Sequence, residues 1–359
     1  MTKDELQSKT IDYLRFPLII GVVFIHAFSS VVIVNGKIKT CESIGPLFYY
    51  SSEFFSHVIA RTSIPLFFII SGFLFFYKKE FTPKTYKEKL KSRFKSLFIP
   101  YLYWNIFIIL YHFIIQSFPI KNNLLYDASI IIRDFTFTDF AHAFGILSPC
   151  PINYPFWFIR DLMLAVLISP LIHSFIKNTK VYGIVFLGVI WYLGFWFHPA
   201  IIRPETLFFF SLGAFFSINK KNIVEESHKL FTSSIIIYPI IAIVDLLTKN
   251  FDFNIYIHKI GIICGCVCFI NIIAYFIDKE KITPNKSLVI GSFIVYAIHE
   301  PFIKILRIIL FSTLKPESDG LMTFIYFIIP ILIIFITLSI YYASRKLFPR
   351  FTRLTTGGR

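Results

Sequence analysis

The sequence predicts an all-α fold, a polytopic bundle of about ten transmembrane helices in one domain over 1–359, with both termini in the cytoplasm. Three observations carry that expectation. Apolar residues fill 56% of the 359 positions and charged residues only 16%, whereas soluble domains hold about a quarter charged residues. Apolar runs of about 20 residues, the length that crosses a bilayer, recur from end to end. Basic residues also alternate in abundance: twenty-three lie in the two termini and in the segments after spans two, four, six and eight, against seven in the opposite set. Lys and Arg collect in cytoplasmic loops, which sets the orientation. In a soluble protein a net charge of +15 would suggest nucleic acid; here the loop bias accounts for it, and no nucleic-acid partner is expected.

The first span is expected at 12–34 and contains Arg15 and His26. Eleven residues at about 100° each return the helix to within about 20° of the same face, and they separate the two side chains by about 16 Å along the axis. Arg15 then lies at the inner surface and His26 near mid-depth. Pro17 is expected in the first helical turn, where a proline removes no helical hydrogen bond. Taken singly, Arg15 also suits a snorkelling cation and His26 a helix-to-helix hydrogen bond.

The second span, 53–77, enters from outside with Glu53, His57 and Arg61 at i, i+4 and i+8. That spacing makes one helical stripe, either an internal ion ladder or part of a site, with Arg61 the deepest. Tyr77–Lys95 follows, with eight basic residues as the strongest cytoplasmic marker. Spans three and four are expected at 97–118 and 155–176, joined by the aromatic, turn-rich outer segment 119–154. Two short spans at 181–198 and 203–219 follow, then 231–248, 255–277, 288–313 and 321–344. The ninth carries His299 at mid-depth, with Glu300, Lys304 and Arg307 further out.

Charges inside spans are costly and mark cavities or partners. His26, Arg61 and His299 form a middle level. Arg160, Asp161, Arg203, Glu205, Asp245, Lys304 and Arg307 form an outer one, which together suggest a polar path through the bundle. Cys264, Cys266 and Cys268 scatter around one helix as apolar filler, and no metal-ligand pattern accompanies them. Cys41 and Cys150 share the outer side, where a disulfide is one arrangement open to them. The N-terminus loosely imitates a signal peptide, but His26 interrupts its apolar stretch, so an intact first span is expected.

Four pieces carry a resemblance over nearly the whole chain to the membrane acyltransferase-3 family of bacterial O-acyltransferases. IDYLRFPLIIGVVFIHAF is similar to that family's first span with its R/K-x10-H motif, here Arg15 and His26. RTSIPLFFIISGFLFF resembles its second-span signature ending in Ser-Gly-Phe. KSRFKSLFIPYLYW resembles the basic approach to the third span. SFIVYAIHEPFI matches a late S-x-x-Y-x-x-H element, here Ser292, Tyr296 and His299. In addition, YPFWFIRDLMLAVLISPLI is similar to the fourth-span region of one branch. One departure stands out. Many members carry R-x-x-R in the third segment, but here Ser96 follows Arg93, with Lys95 beside it. A lysine does not reproduce the arginine fork, so no second arginine is carried onto this chain.

The resemblance implies transfer of an acyl group, expected to be acetyl, from cytoplasmic acyl-CoA to a hydroxyl of a surface glycan or glycolipid across the bacterial inner membrane. No tightly bound cofactor is implied, and other envelope-biosynthesis proteins are possible partners alongside membrane lipid. Arg15 and Arg93 would hold the CoA phosphates. His26 would be the general base or a transient acyl carrier. Arg61 would stabilise the oxyanion. Arg160, Tyr296 and His299 would position substrate, and the outer charges with Trp157 would form the glycan side. The alternative from another class is a secondary transporter or glycan flippase with a charged intramembrane path.

Overall fold

The first helix sets the frame for the rest. In the computed structural model, which describes residues 1–34, 37–118, 130–195 and 202–358, α1 runs Lys3–Ala27. Thr2 caps it by accepting from the Glu5 backbone N–H at 3.2 Å, and Asp4 and Glu5 put negative charge at its N-terminus, where the helix dipole favours it. The helix starts earlier and stops sooner than 12–34. Pro17 therefore lies in the helix interior, where its missing N–H leaves a carbonyl one turn back without its usual partner. After Ala27 the chain leaves the helix, and Val31–Val34 (β1) pairs antiparallel with Lys37–Thr40 (β2). β-Branched residues favour such a pleated pair over the end of a helix.

The remaining structure is almost entirely helical. α2 covers Pro46–Phe76 and α3 covers Pro83–Ser117. Each contains a π-helical turn, Glu53–Ile59 in α2 and Phe94–Phe98 in α3. α4 (Tyr154–Leu167) and α5 (Ser169–Leu193) meet at a bend of 65°. The two spans expected at 155–176 and 181–198 are parted by a kink at Lys180 within α5, in the gap between them, while the sharp bend at Ile168 falls inside the first. Residues 196–198 of that expected span, like 119–129 of the outer segment, lie outside the described residues. α6 (Pro204–Ile218), α7 (Phe231–Leu247), α8 (Asn254–Asp278), α9 (Lys286–Leu314) and α10 (Asp319–Leu347) complete the series.

By length and composition, α1, α2, α3, α8 and α10 can each cross a membrane, and the bent pair α4–α5 counts as a sixth; α6 and α7 are shorter apolar helices. α9 has 29 residues but interrupts its apolar face with Glu300, Lys304 and Arg307.

α1 is central, packing against α2, α8, α9 and α10. The tightest crossing joins α2 to α6. A Cβ on Gly72 would lie 2.0 Å from the Phe210 carbonyl oxygen, and one on Gly213 would lie 1.9 Å from that of Ile69. Only glycine permits two backbones to approach so closely, the small-residue solution common between membrane helices. At the other end of the chain a short helix, Pro349–Thr355, folds back onto α3 and α10. The Trp104 indole N–H donates to the Thr355 carbonyl at 3.0 Å. Gly357, at φ +74°, lies against the Ser96 backbone, where a Cβ would come within 2.4 Å of the carbonyl oxygen.

Candidate functional site

Arg15, Ile19, Val22 and His26 follow one another at helical spacing along α1, and all four line a single cavity of about 400 Å³. Its other walls come from α2 (Phe67, Ser71), α4 (Trp157, Phe158) and α9 (Ser292, Tyr296), and Arg93 of α3 joins Arg15 at one end. The cavity is therefore a tube with two guanidiniums at one end, an imidazole at the other and mostly apolar walls between. Arg15 pairs with Asp12 at 3.2 Å on the exposed side. Arg93 lies within range of the Arg15 charge, and among the described residues no carboxylate pairs with it. Two cations converge on one end of the tube with a single carboxylate between them, which makes that end attractive to an anion.

The histidine end is held from three sides. The Ser56 hydroxyl donates to the Phe24 carbonyl at 2.6 Å and is itself joined to the Tyr326 hydroxyl at 2.7 Å. The Arg307 guanidinium donates to the Ala27 carbonyl at 2.8 Å. These groups satisfy carbonyls that the end of α1 leaves open, and a cation at a helix C-terminus also complements the dipole. Among the described residues no hydrogen bond engages either ring nitrogen of His26.

The His299 ring lies 4.9 Å from that of His26, at 62°. His299 Nδ1 donates to the Tyr296 carbonyl at 2.7 Å. A carbonyl can only accept, so the neutral ring carries its proton on Nδ1. Its Nε2 is then a bare lone pair, buried and without a partner among the described residues.

The other expected site residues divide. Tyr296 lines the cavity, but its hydroxyl donates to the Pro155 carbonyl at 2.6 Å and so anchors the start of α4. Arg61 is off the lining yet close enough for its charge to act on His26 and on Glu205; no hydrogen bond or ion pair engages it among the described residues. Arg160 reaches neither end of the tube. Its Nε donates to the Gly145 carbonyl at 2.7 Å and its NH1 to Asp161 at 2.8 Å. Trp157, expected on the outer side, lines the tube itself, with the Arg203 guanidinium 3.9 Å from its ring centre. Lys95 is exposed and takes no part in the lining.

The expected continuous polar path is also corrected. Asp161 is fully buried and accepts from Arg160, the Arg203 backbone and the Thr206 hydroxyl. Asp245 accepts from Lys249, His258 and Asn254. Glu53 holds His57 at 2.9 Å, and Glu300 holds Lys304 at 2.9 Å. Charges removed from water need partners, and these pairs provide them locally rather than forming one conduit. Cys41 and Cys150 are both free thiols: Cys41 lies 3.6 Å from the Ser52 hydroxyl, and Cys150 accepts from Arg203 at 3.2 Å. Among the described residues no group of three or more His, Cys, Asp or Glu side chains is placed to hold a metal ion.

A second cavity, of about 520 Å³, opens on the other side of the histidine end. Its walls come from α3, the short helix Phe137–Ala143, the segment 148–154 and α9. Within that short helix Asp139 completes a capping box with Thr136, whose hydroxyl and backbone N–H hold the carboxyl below the usual carboxylate range. Asn153 and Tyr154 were not picked out as site residues from the sequence, and Arg307, expected among the outer charges of the glycan side, instead holds the Ala27 carbonyl and does not line this cavity. Arg307 was visible in the sequence as an intramembrane charge, whereas Asn153 and Tyr154 carry no periodic or charge signal.

A family model described as an acyltransferase domain matches residues 8–343. Over 364 aligned residues the chain is 24% identical to the succinoglycan biosynthesis protein ExoH of Rhizobium meliloti (strain 1021), an alignment covering 98% of this chain and 92% of that protein. No solved structure matches.

Proposed function

We propose, on the premise that this chain belongs to the acyltransferase family matched over residues 8–343, that it moves an acyl group, expected to be acetyl, from acyl-CoA to a glycan hydroxyl on the far side of the bacterial inner membrane. The observation that carries this reading is the tube along α1, with Arg15 and Arg93 at one end and His26 at the other. About 16 Å of helix separates the two ends, comparable in order of magnitude with the pantetheine arm of CoA. The two guanidiniums suit its phosphates, and the apolar walls suit the arm. The similar protein is named for the biosynthesis of a glycan, which favours a glycan acceptor here. The orientation is the one the basic loops give: about ten crossings, with both termini and the arginine end of the tube in the cytoplasm.

In the proposed step the acceptor oxygen attacks the thioester carbonyl carbon while His26 takes its proton. The tetrahedral intermediate then expels the CoA sulfur, which leaves as the thiol after receiving a proton from the imidazolium, and the acceptor carries the ester. A hydroxyl is too weakly acidic to attack unaided, and a neutral imidazole is suited to this work near pH 7. In the proposed step the bare Nε2 of His299, whose ring lies 4.9 Å from that of His26, would accept an N–H of His26 and so orient the base. The Arg61 charge would favour the oxyanion. The transporter alternative draws no support from the family match.

The test is incorporation of labelled acetyl from acetyl-CoA into surface polysaccharide by membranes containing the protein. With membrane levels equal to wild type, His26→Ala is expected to lose about 100- to 10,000-fold in rate, the usual contribution of a general base. Wild-type rates in that variant would remove His26 from the mechanism.

A further inference from the structure

The second cavity has a composition that suits one kind of ligand. We infer that it is the binding site for the acceptor, and that it takes an uncharged sugar unit whose hydroxyl is presented to His26 past Tyr154. This rests on the acyltransferase reading above and adds the place and chemical class of the second substrate.

Position is the first argument. The Tyr154 ring, in the cavity wall, is 6.1 Å from the His26 ring. Glu300, in the same wall, follows His299 directly, whose ring contacts His26 from the next side. The two cavities are thus divided by little more than His26 and the side chains touching it. An acceptor in one and a thioester in the other would meet at the imidazole.

Chemistry is the second. Asn153 is 2% exposed and lines the cavity. Its backbone N–H donates to Asn105 at 3.2 Å, which fixes the residue in place, yet among the described residues its side-chain Nδ2 has no partner. A buried amide left without a partner costs free energy comparable to a lost hydrogen bond, and a ligand oxygen would satisfy it. Glu300, paired to Lys304, adds an acceptor and a donor to the lining. Asp139 adds a carboxylate acceptor and His142 an imidazole, and Tyr111 contributes an aromatic ring to the lining. Mixed donors and acceptors beside aromatic rings match hydroxyls alternating with C–H faces. A phosphate or a uronate would instead meet the carboxylates of Asp139 and Glu300. The volume falls within the range of about 300–1,000 Å³ typical of small-ligand sites.

The experiment uses the full chain in membranes, labelled acetyl-CoA as donor, and as acceptor polysaccharide isolated from the expressing cells and freed of esters with mild alkali. Asn153→Ala and Glu300→Gln are each expected to raise the half-saturating polysaccharide concentration by about fivefold or more while leaving that for acetyl-CoA within about twofold, the effect of one lost hydrogen bond. Cys150, a free thiol in the wall, supplies a readout independent of turnover. The polysaccharide, but not acetyl-CoA, should slow its labelling by a bulky polar maleimide, with Cys150→Ser identifying the labelled site. Transfer by the wild type with unchanged polysaccharide dependence in both variants and no protection of Cys150 would overturn the assignment and leave the acyltransferase reading intact. Protection of Cys150 without any transfer by the wild type would support a glycan site and overturn the reading it rests on.

Discussion

On the proposed mechanism, Arg307 is a side chain that would govern a reaction it does not touch. Its guanidinium holds the last carbonyl of α1, one residue beyond His26. Arg307→Met removes that bond and leaves a buried carbonyl open, so the imidazole loses its fixed height. The expected outcome is a kcat lower by about tenfold with little change in either KM, the signature of lost positioning rather than lost binding. Arg307→Lys, which keeps a donor, should recover part of it; equal falls in both variants would mean that the bundle itself is damaged. The arginines at the other end predict the opposite split. Arg15→Ala and Arg93→Ala should each raise the KM for acetyl-CoA by about 10- to 100-fold, the value of a charge-assisted hydrogen bond, with kcat nearly constant at saturation. The spacing of Arg15 and His26 was legible in the sequence because both lie on one helix and helical geometry fixes their shared face. His299 was placed at mid-depth by its position in span nine, but the roles of Arg93 and Tyr296 came from the family resemblance, since no local rule brings α3 and α9 to α1. Asn153 was illegible for a physical reason: its importance lies in a hydrogen bond that is missing, and sequence patterns do not record satisfaction.

Among the elements, the crossing of α2 and α6 has the least room. The Ser-Gly-Phe stretch serves two purposes there: Ser71 faces the tube while Gly72 lets the Phe210 backbone approach. Gly72→Ala forces those backbones apart, and overpacking of this kind costs about 1–3 kcal/mol. A lower unfolding temperature in detergent is expected, with the tube widened on its α2 side; an unchanged melting curve would mean that the crossing gives way freely. Helix identity was easily read because long apolar runs dominate, but the ends were not. The first span was expected to continue through Val31–Val34, which form a strand. VVIVNGKIKT does contain a hairpin signal, Asn-Gly between two β-branched runs, which a hydropathy reading absorbs into a span. The π-helical turn Glu53–Ile59 was likewise hidden: Glu53 and His57 still meet at 2.9 Å, so the i, i+4 pattern survives a wider turn.

For the molecule as a whole, the proposed orientation makes a direct prediction. A lone reactive cysteine introduced as Glu88→Cys, in the basic segment between α2 and the π-helical turn of α3, should be labelled by an impermeant reagent in inverted vesicles and not in intact cells. The reverse pattern would invert the assignment of both cavities to their sides. The two outer thiols give a second check: Cys41 and Cys150 should both be alkylated in unfolding buffer without reductant, whereas a mass two protons lighter would reveal a bridge.

The tail of the chain carries a consequence of its own. The described residues from Pro349 onward line neither of the two cavities above, yet they press on Ser96 and Trp104, in the turns of α3 that follow Arg93. Where many relatives resembling this chain place a second arginine, this one has a serine with its own C-terminal glycine folded over it. The tail is thus a buttress for the donor's doorway. Shortening the protein by that short helix should weaken acetyl-CoA binding while sparing the acceptor. For anyone preparing the protein, a purification handle spliced in before Gly357 would disturb it at the opposite end of the tube from His26, the proposed base.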